Sequence, residues 1–161
     1  MSDLAPSILT SKLSTEWLGI PNHYQDLVDS TNTQLREIAR QSGTHGTLLV
    51  ADTQTKGRGR HGRSWYSPPG KNLYFSILLR PTWGPGDFRP LSLAAGVALA
   101  EATEEILPDR PVLKWPNDLL WQGQKLAGIL VESTMSQQGI DHAIVGIGLN
   151  VNQDQFPDSL D

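Results

Sequence analysis

The sequence contains no cysteine, which excludes disulfides, thiol catalysis and any cysteine-ligated metal site. Its four histidines are scattered along the chain, and their spacing is not that of metal ligands. No apolar run approaches the roughly 20 residues that a membrane-spanning helix needs. The first residues also lack the basic and apolar segments of a secretion signal. We therefore expect a cytoplasmic protein with no membrane partner.

Basic residues are in the minority and unevenly placed. The 161 residues include 13 Lys and Arg against 17 Asp and Glu, a formal net charge of −4, and no Lys or Arg follows Lys125. A nucleic-acid-binding face needs broader basic coverage. We therefore expect no DNA partner, and steep salt dependence of binding would support the opposite interpretation.

The length favours a single domain. Hydrophobic residues at 38% and charged residues at 19% are typical of a globular chain rather than a disordered one. Strand-like and helix-like stretches follow one another, which predicts a mixed α/β (α+β) fold. We expect a central, mixed or largely antiparallel β-sheet with helices packed on one face.

The apolar pattern predicts where the main elements lie. Thr31 and Gln34 also predict a capping box at the start of one helix. The elements expected, in chain order, are a helix within 13–20, a strand at 23–28, a helix at 31–41, strands at 47–51 and 72–79, a helix from Pro90 to before Pro108, a strand from Val112, a hairpin of 119–121 and 125–132, and a strand at 140–149.

A glycine-rich basic loop runs from Lys56 to Arg63. Four of the thirteen Lys and Arg residues lie in these eight positions. Glycines let backbone approach a ligand closely, and guanidinium groups suit carboxylates and phosphates. The composition predicts a flexible loop that closes on an anion and is not ordered without one, although a solvated surface loop has the same composition.

The same loop matches the dinucleotide pattern G-x-G-x-x-G through Gly57, Gly59 and Gly62. That pattern requires a helix starting at the glycines. Ser67-Pro68-Pro69-Gly70 follows soon afterwards and forbids such a helix. We therefore exclude a Rossmann site.

A second stretch with chemical potential is Lys114-Trp115-Pro116-Asn117-Asp118. Lys, Asn and Asp at the end of a short strand are compatible with phosphate and magnesium binding. Asn-Asp is equally common in ordinary turns, so a simple hairpin is the alternative.

Three further positions are open to two interpretations, and a fourth, Gln54, marks a strand end. Ser30 and Thr31 either cap a helix or present hydroxyls to a ligand. Gln54 ends a strand where the basic loop begins, and Trp65 either stacks on a ring or anchors the core.

Several of these stretches together resemble the biotin–protein ligases, in the order and approximate spacing of that family. The resemblance covers roughly residues 22–152. Its motifs are Asp29-Ser30-Thr31-Asn32, Gln54-Thr55-x-Gly57-Arg58-Gly59-Arg60-x-Gly62-Arg63, Lys114-Trp115-Pro116-Asn117-Asp118, Lys125-Leu126-Ala127-Gly128-Ile129-Leu130 and Gly146-Ile147-Gly148-Leu149-Asn150-Val151-Asn152.

The resemblance implies a catalytic core like that of class II aminoacyl-tRNA synthetases and a two-step reaction. Biotin and ATP, with Mg2+, would form biotinyl-adenylate, and the biotinyl group would pass to a lysine of a biotin carboxyl carrier protein. It also implies a homodimer as one oligomeric state.

The resemblance further implies roles for individual residues. Arg60, Lys125 and Lys114 would be catalytic, and Asp118 would ligate Mg2+. Biotin would be bound by Ser30, Thr31, Asn32, Gln54, Gly57, Arg58, Gly59, Arg60, Lys125 and Gly128. The nucleotide would be bound by Arg58, Arg60, Arg63, Trp65, Lys114, Asn117, Lys125 and Asn150.

Compared with the family, we expect an N-terminal segment at 1–21 and a catalytic domain at 22–161 that is incomplete at its C-terminal end. We expect neither a helix-turn-helix nor the small C-terminal β-domain. His61 stands where Arg is common. The alternatives are a truncated core that binds biotin or adenylate without full turnover, and a lipoate ligase-like relative.

Overall fold

A computed structural model describes residues 4–82, 90–137 and 139–157 of the chain. The end of the expected catalytic domain, at 158–161, lies outside these residues. The described elements are α1 (Pro6–Lys12), β1 (Asn22–Val28), α2 (Thr31–Gln41), β2 (Leu48–Gln54), a 3-10 turn (Arg60–Gly62), β3 (Asn72–Leu79), α3 (Leu91–Glu104), β4 (Val112–Lys114), β5 (Asp118–Trp121), β6 (Gln124–Ser136) and β7 (Gly139–Asn150).

The strands form one seven-stranded mixed sheet in the order β1-β2-β3-β7-β6-β5-β4. β1 and β2 are parallel, because α2 provides the crossover that a parallel pair requires. The other neighbouring pairs are antiparallel. The predicted mixed sheet is therefore confirmed.

The two longer helices pack on opposite faces of this sheet. α2 packs on Leu78 and Ile144, whereas α3 packs on Val145 and Ile147. Successive residues of a strand point to opposite faces, so even-numbered residues of β7 face α2 and odd-numbered ones face α3. The prediction that the helices share one face is wrong. The order of helices and strands along the chain does not determine on which face of the sheet each helix packs.

The two faces of strand β7 differ in the size of their side chains, and this difference leaves room for a site on one face. Its odd-numbered residues Val145 and Ile147 are buried in the α3 core. On the α2 face it carries Gly146 and Gly148. Because glycine has no side chain, the sheet surface near the first turn of α2 carries none at these two positions. Side chains from other elements fill this space, as described below.

The segment before β1 differs from the prediction. The helix lies at Pro6–Lys12 rather than within 13–20, and Pro6 occupies its first turn, where a missing N–H has no cost. Trp17 follows the helix and stacks on His45 with ring centroids 4.4 Å apart. Trp17 packs on a neighbouring loop and not from within a helix. The spacing of apolar residues does not distinguish these two cases.

Within the described residues, no helix has the length and apolar character needed to cross a membrane.

Candidate active site

An open cleft of about 1690 Å³ lies on the α2 face of the sheet, next to the first turn of α2. Of the predicted site residues, all but Gly57 line it. They are Ser30, Thr31, Asn32, Gln54, Arg58, Gly59, Arg60, Arg63, Trp65, Lys114, Asn117, Asp118, Lys125, Gly128 and Asn150. The fold thus brings five separate stretches of sequence together.

A chain of hydrogen bonds forms the floor of the cleft at the start of α2. The Thr31 backbone N–H donates to Gln54 Oε1 at 2.9 Å, and Gln54 Nε2 donates to Ser67 Oγ at 2.9 Å. The buried Ser76 hydroxyl lies 2.8 Å from Thr31 Oγ1 and 2.6 Å from Asn32 Oδ1. These polar groups are buried or half-buried and preorganised, as a binding site for a small polar ring requires.

The predicted capping box does not form. Ser30 occupies the N-cap position without a capping side-chain hydrogen bond, and Gln34 instead donates to Asp29 Oδ1 at 3.0 Å. Burial raises the pKa of Asp29, but the hydrogen bonds from Gln34 and the Ser30 backbone outweigh it and hold that pKa below its usual value. The capping interpretation of Ser30 and Thr31 is therefore wrong, because the tertiary partners Gln54 and Ser76 engage Thr31.

The basic loop is folded back on itself and anchored to the sheet at two points. A bridge between Arg58 and Ser64 closes it. Arg58 donates to Glu132 Oε2 at 2.8 Å, and Arg60 donates to Asn117 Oδ1 at 3.1 Å. Two of the loop's arginines are thus held over the cleft, one by Glu132 of β6 and one by Asn117 of the turn between β4 and β5.

Gly57 lies beneath the loop rather than in the cleft. A Cβ atom at this position would come within 2.3 Å of the Trp65 carbonyl oxygen. Gly57 is therefore required for close packing between the two ends of the loop, which is a structural reason for glycine here.

Trp65 covers the bare glycine surface of the sheet. A Cβ on Gly148 would lie 2.4 Å from Trp65 Nε1, and one on Gly128 would lie 2.6 Å from Trp65 Cζ3. The buried Nε1 has no hydrogen-bond partner among the described residues. Lys125 Nζ stands 5.2 Å from the ring centroid. Trp65 is therefore a wall of the cleft that rests on glycines and has Lys125 over its ring.

Lys125 reaches the cleft through an irregularity in the sheet. Leu119 pairs with Ala127 but Leu120 pairs with Lys125, so Leu126 is an extra residue in β6. Because the side-chain period of a strand is two, this extra residue moves Lys125 onto the face of Gly128. Register shifts of this kind re-aim side chains next to sites.

Once on that face, Lys125 joins a small polar group. Its Nζ lies 2.9 Å from Asp118 Oδ1, and Asn117 Nδ2 donates to the same oxygen at 3.2 Å. Asn150 Nδ2 donates to the Lys125 carbonyl at 3.0 Å, tying the end of β7 to the start of β6.

Two further predicted cations, Lys114 and Arg63, are exposed and line the cleft. They make no side-chain hydrogen bond or ion pair with the described residues. Trp115, next to Lys114, is 82% exposed on the rim. These cations are available to an anionic ligand.

The described residues contain no group of three or more His, Cys, Asp or Glu that could enclose a metal ion. Asp118 lines the cleft outside any such group and is already paired with Lys125. Mg2+ commonly uses one or two carboxylates together with substrate phosphates, and Asp118 fits that mode.

Three site residues were not predicted from the sequence, namely Ser67, Ser76 and Glu132. Ser67 and Ser76 belong to the floor, and Glu132 accepts from Arg58. Glu132 lies two residues beyond Leu130 and four beyond Gly128 on one strand. Period-two alternation from Gly128 could have placed it on the cleft face.

The comparisons with known proteins agree with this geometry. The model of the biotin/lipoate A/B protein ligase family matches residues 24–150. The chain belongs to this family. Among its relatives, the bifunctional ligase/repressor BirA of Bacillus subtilis is 40% identical over 159 residues, covering 98% of this chain and 49% of that protein. The biotin--[acetyl-CoA-carboxylase] ligase of Mycobacterium tuberculosis is 34% identical over 173 residues, covering 98% of this chain and 60% of that ligase.

Solved structures give the same result. The biotin protein ligase from Aquifex aeolicus in complex with biotin and ATP has a TM-score of 0.70 and 44% identity, with 86% of this chain and 56% of that chain covered. The Leishmania major biotin protein ligase in complex with biotinyl-5-AMP has a TM-score of 0.72 and 31% identity, covering 86% and 61%. These likenesses confirm the biotin ligase-like mixed fold. The chain spans about half the length of the curated relatives it matches.

Proposed function

We propose that this chain activates biotin with ATP to biotinyl-adenylate and transfers the biotinyl group to a lysine of a biotin carboxyl carrier protein. The observation that carries the proposal is the convergence of five motifs on one cleft. Ligases of this name that were solved with biotin and ATP, or with biotinyl-5-AMP, share the fold.

The chemistry requires cations rather than a protein nucleophile. In the first step, a biotin carboxylate oxygen bonds to the α-phosphorus of ATP and pyrophosphate leaves. In the second, the lysine amine attacks the acyl carbon, loses a proton, and AMP leaves. Because the first step joins two anions, positioning and charge stabilisation supply most of the rate.

The polar floor is suited to the ureido ring of biotin. Thr31, Asn32 and Gln54 offer donors and acceptors at fixed positions, and Ser30 stands at the same edge. Gly59 lines the cleft beside them. We assign these residues to biotin binding, together with Gly128, which supports Trp65, and Gly57, which acts indirectly by holding the loop's ends together.

The phosphate end of the cleft is cationic. Arg58, Arg60 and Arg63 lie on the loop, Lys125 on β6, and Lys114 at the end of β4. We assign Arg60, Lys125 and Lys114 to catalysis because they can neutralise the approaching carboxylate and phosphate. Asn117 positions Arg60 through a hydrogen bond at 3.1 Å.

Asp118 is the residue that would hold Mg2+, together with the phosphates of the nucleotide. The ion would supply charge neutralisation to the leaving pyrophosphate. Asp118 itself orients Lys125 across 2.9 Å. The adenine is assigned to the Trp65 side of the cleft, with Asn150 on the same lining.

The wider setting follows from the same resemblance. We propose that residues 22–161 belong to the catalytic domain and 1–21 to a separate N-terminal segment. We also propose action in the cytoplasm on a carrier protein, without DNA binding, for which the net charge of −4 is the support. A homodimer remains a prediction of the resemblance.

The test is calorimetry with biotin, then with biotin and MgATP, followed by mass analysis for the adenylate. We expect biotin binding and formation of biotinyl-adenylate. Omitting Mg2+ should abolish adenylate formation while leaving biotin binding in place. Lipoate replaces biotin in a parallel titration as the specificity control.

Each other outcome contradicts part of the proposal. Binding without adenylate identifies a biotin-binding core that lacks turnover. Preference for lipoate identifies a lipoate ligase-like relative. Absence of biotin binding by a chain that melts cooperatively contradicts the proposal altogether.

A further inference from the structure

A buried serine of β3 contacts both polar residues that begin α2. Ser76 is 0% exposed, and Thr31 and Asn32 are 4% and 2% exposed. The Ser76 hydroxyl lies 2.6 Å from Asn32 Oδ1 and 2.8 Å from Thr31 Oγ1. Ser76 therefore supports two residues that the proposed function assigns to biotin, although no sequence motif indicated it.

The partners of the Asn32 carboxamide decide its orientation. Its Nδ2 donates to Glu132 Oε2 at 2.7 Å and to the Leu130 carbonyl oxygen at 3.3 Å. A carboxylate and a carbonyl only accept, so the nitrogen faces β6 and the amide oxygen faces Ser76. Because an amide oxygen also only accepts, Ser76 donates its single hydroxyl proton to Asn32 Oδ1.

A glycine of β7 provides the space that Asn32 occupies. A Cβ atom at Gly146 would overlap Asn32 Oδ1. The carboxamide thus lies where a larger residue of β7 would place its side chain. Its nitrogen and its oxygen are both engaged within the floor, so Asn32 serves the site by fixing Ser76.

These contacts limit what the Thr31 hydroxyl can offer a ligand. Its single proton has two acceptors inside the floor, Ser76 Oγ at 2.8 Å and Gln54 Oε1 at 3.2 Å. Ser76 Oγ is an acceptor because its own proton goes to Asn32. Whichever of the two takes the proton, Thr31 Oγ1 can only accept from a ligand.

We propose that Ser76 is a positioning and specificity-determining residue that, together with Asn32, fixes the Thr31 hydroxyl as an acceptor for a ring N–H group. The inference rests on the proposed function and deepens it, since the ureido ring of biotin carries N–H groups. A ring with an oxygen atom at the same point would place two acceptors against each other. Buried acceptors left without a donor weaken binding.

The first test needs no biotin. The rate at which the Asn32 carboxamide protons exchange with water, measured by NMR, reports how firmly that side chain is held. We expect Ser76→Ala to speed this exchange about tenfold, since Asn32 Oδ1 loses its donor. Thr47→Val is the matched control and should leave the exchange unchanged, because it removes a buried hydroxyl that donates to the Thr44 carbonyl at 2.8 Å.

Gly146→Ala displaces the carboxamide from the opposite side and should speed the same exchange to a similar extent. This second variant decides the question if Ser76→Ala fails to fold. Exchange at the wild-type rate in a folded variant of either kind would overturn the proposal.

The second test is calorimetry with biotin and with the two cyclic carbamates in which one ring N–H group of biotin is replaced by oxygen. We expect one carbamate to bind the wild type about thirtyfold more weakly than biotin, because Thr31 meets an acceptor. Ser76→Ala should weaken biotin binding about tenfold and leave binding of that carbamate nearly unchanged. The preference then falls to about threefold, since the analogue and the substitution act through the same Thr31 contact.

Three results of this titration would overturn the inference. The first is a wild type that binds both carbamates as tightly as biotin. The second is a Ser76→Ala variant with unchanged affinity for biotin. The third is an equal loss of affinity for biotin and for the carbamate, which would show a merely structural role.

The two proposals fail in distinguishable ways. A wild-type chain that binds no biotin contradicts the proposed function, whereas the exchange test still decides whether Ser76 holds Asn32. A wild-type chain that makes biotinyl-adenylate, together with a Ser76→Ala variant whose preference for biotin over the carbamate is unchanged, contradicts the role of Ser76 alone.

Discussion

At the scale of single residues, three cations of the cleft each face an acceptor from another part of the chain. Arg58 pairs with Glu132, Arg60 with Asn117 and Lys125 with Asp118. Charged side chains held in this way lose less conformational freedom when an anion arrives. Each of these cations is therefore positioned by a partner from another part of the chain.

Arg60 gives the first prediction at this scale. Arg60→Ala should leave biotin binding partly intact but release biotinyl-adenylate, because the loop loses its contact with Asn117 and its cation over the intermediate. The measurement is the fraction of adenylate retained after gel filtration, compared with Arg40→Ala, whose arginine lies on the exposed side of α2. Full retention by the Arg60 variant contradicts the assignment.

Gly148 gives the second prediction. Gly148→Ala should weaken ATP binding about tenfold or more, since the new Cβ would lie 2.4 Å from Trp65 Nε1 and displace the ring. Calorimetry with ATP is the measurement.

Val145→Ala is the comparison, because Val145 lies on the same strand but in the opposite core. It should lower the free energy of unfolding by about 2 kcal/mol with ATP affinity unchanged. Equal ATP affinity in the wild type and the Gly148 variant would remove Trp65 from the nucleotide site.

At the scale of elements, the ends of strands carry most of the polar contacts. At the end of β7 away from the cleft, Asp141 accepts from His142 at 2.6 Å and lies 3.4 Å from Arg80. The hydrogen bond with His142 lowers the pKa of Asp141 below its usual 3.8, which outweighs the opposing effect of burial, and Arg80 lowers it further. The ionised carboxylate therefore stabilises this strand end.

The pH dependence follows from the direction of that shift. A carboxyl group with a lowered pKa in the folded state contributes stability above its unfolded pKa and loses it as the pH falls through the folded pKa. Asp141→Asn should therefore melt at a lower temperature than the wild type at pH 7, and the difference should shrink below pH 3.8.

Thermal melts at pH 7 and in acid measure this difference. Asp26→Asn, which removes an exposed carboxylate of β1, is the control and should show little difference at either pH. A difference between Asp141→Asn and the wild type that persists unchanged in acid would contradict the role given to the Asp141 carboxylate.

At the scale of the whole molecule, the two faces of the sheet have different roles. One face carries the α3 core, and the other carries α2 and the cleft. The segment before β1 packs against the far end from the cleft, where the Gly19 backbone N–H donates to the Gly46 carbonyl at 2.8 Å. Stability and binding are therefore expected to respond to different substitutions.

Trp17 tests that separation. Trp17→Ala should lower the free energy of unfolding by about 1–3 kcal/mol, less than for a fully buried tryptophan because Trp17 is 47% exposed. Urea unfolding measures the loss, and Met135→Ala, at an exposed position, is the control. A large change in biotin affinity in a folded Trp17 variant would contradict the separation.

The sequence by itself determined the family, the strand and helix order from β1 onward, and part of the set of residues that line the cleft. These depend on local signals. Period-two and period-3.6 patterns report burial along one element, and the motifs report chemistry at strand ends. Gly146 and Gly148 alternate with apolar residues, a pattern that supported the strand at 140–149.

Only the tertiary structure decided which elements meet. The extra residue Leu126 places Lys125 on the cleft face, and Glu132 connects to Arg58 across 74 positions of the chain. Tertiary structure also decided that α2 and α3 pack on opposite faces and that Thr31 bonds to Gln54 and Ser76. Each depends on sheet register or on a partner distant in sequence, and neither leaves a signal within a short window of residues.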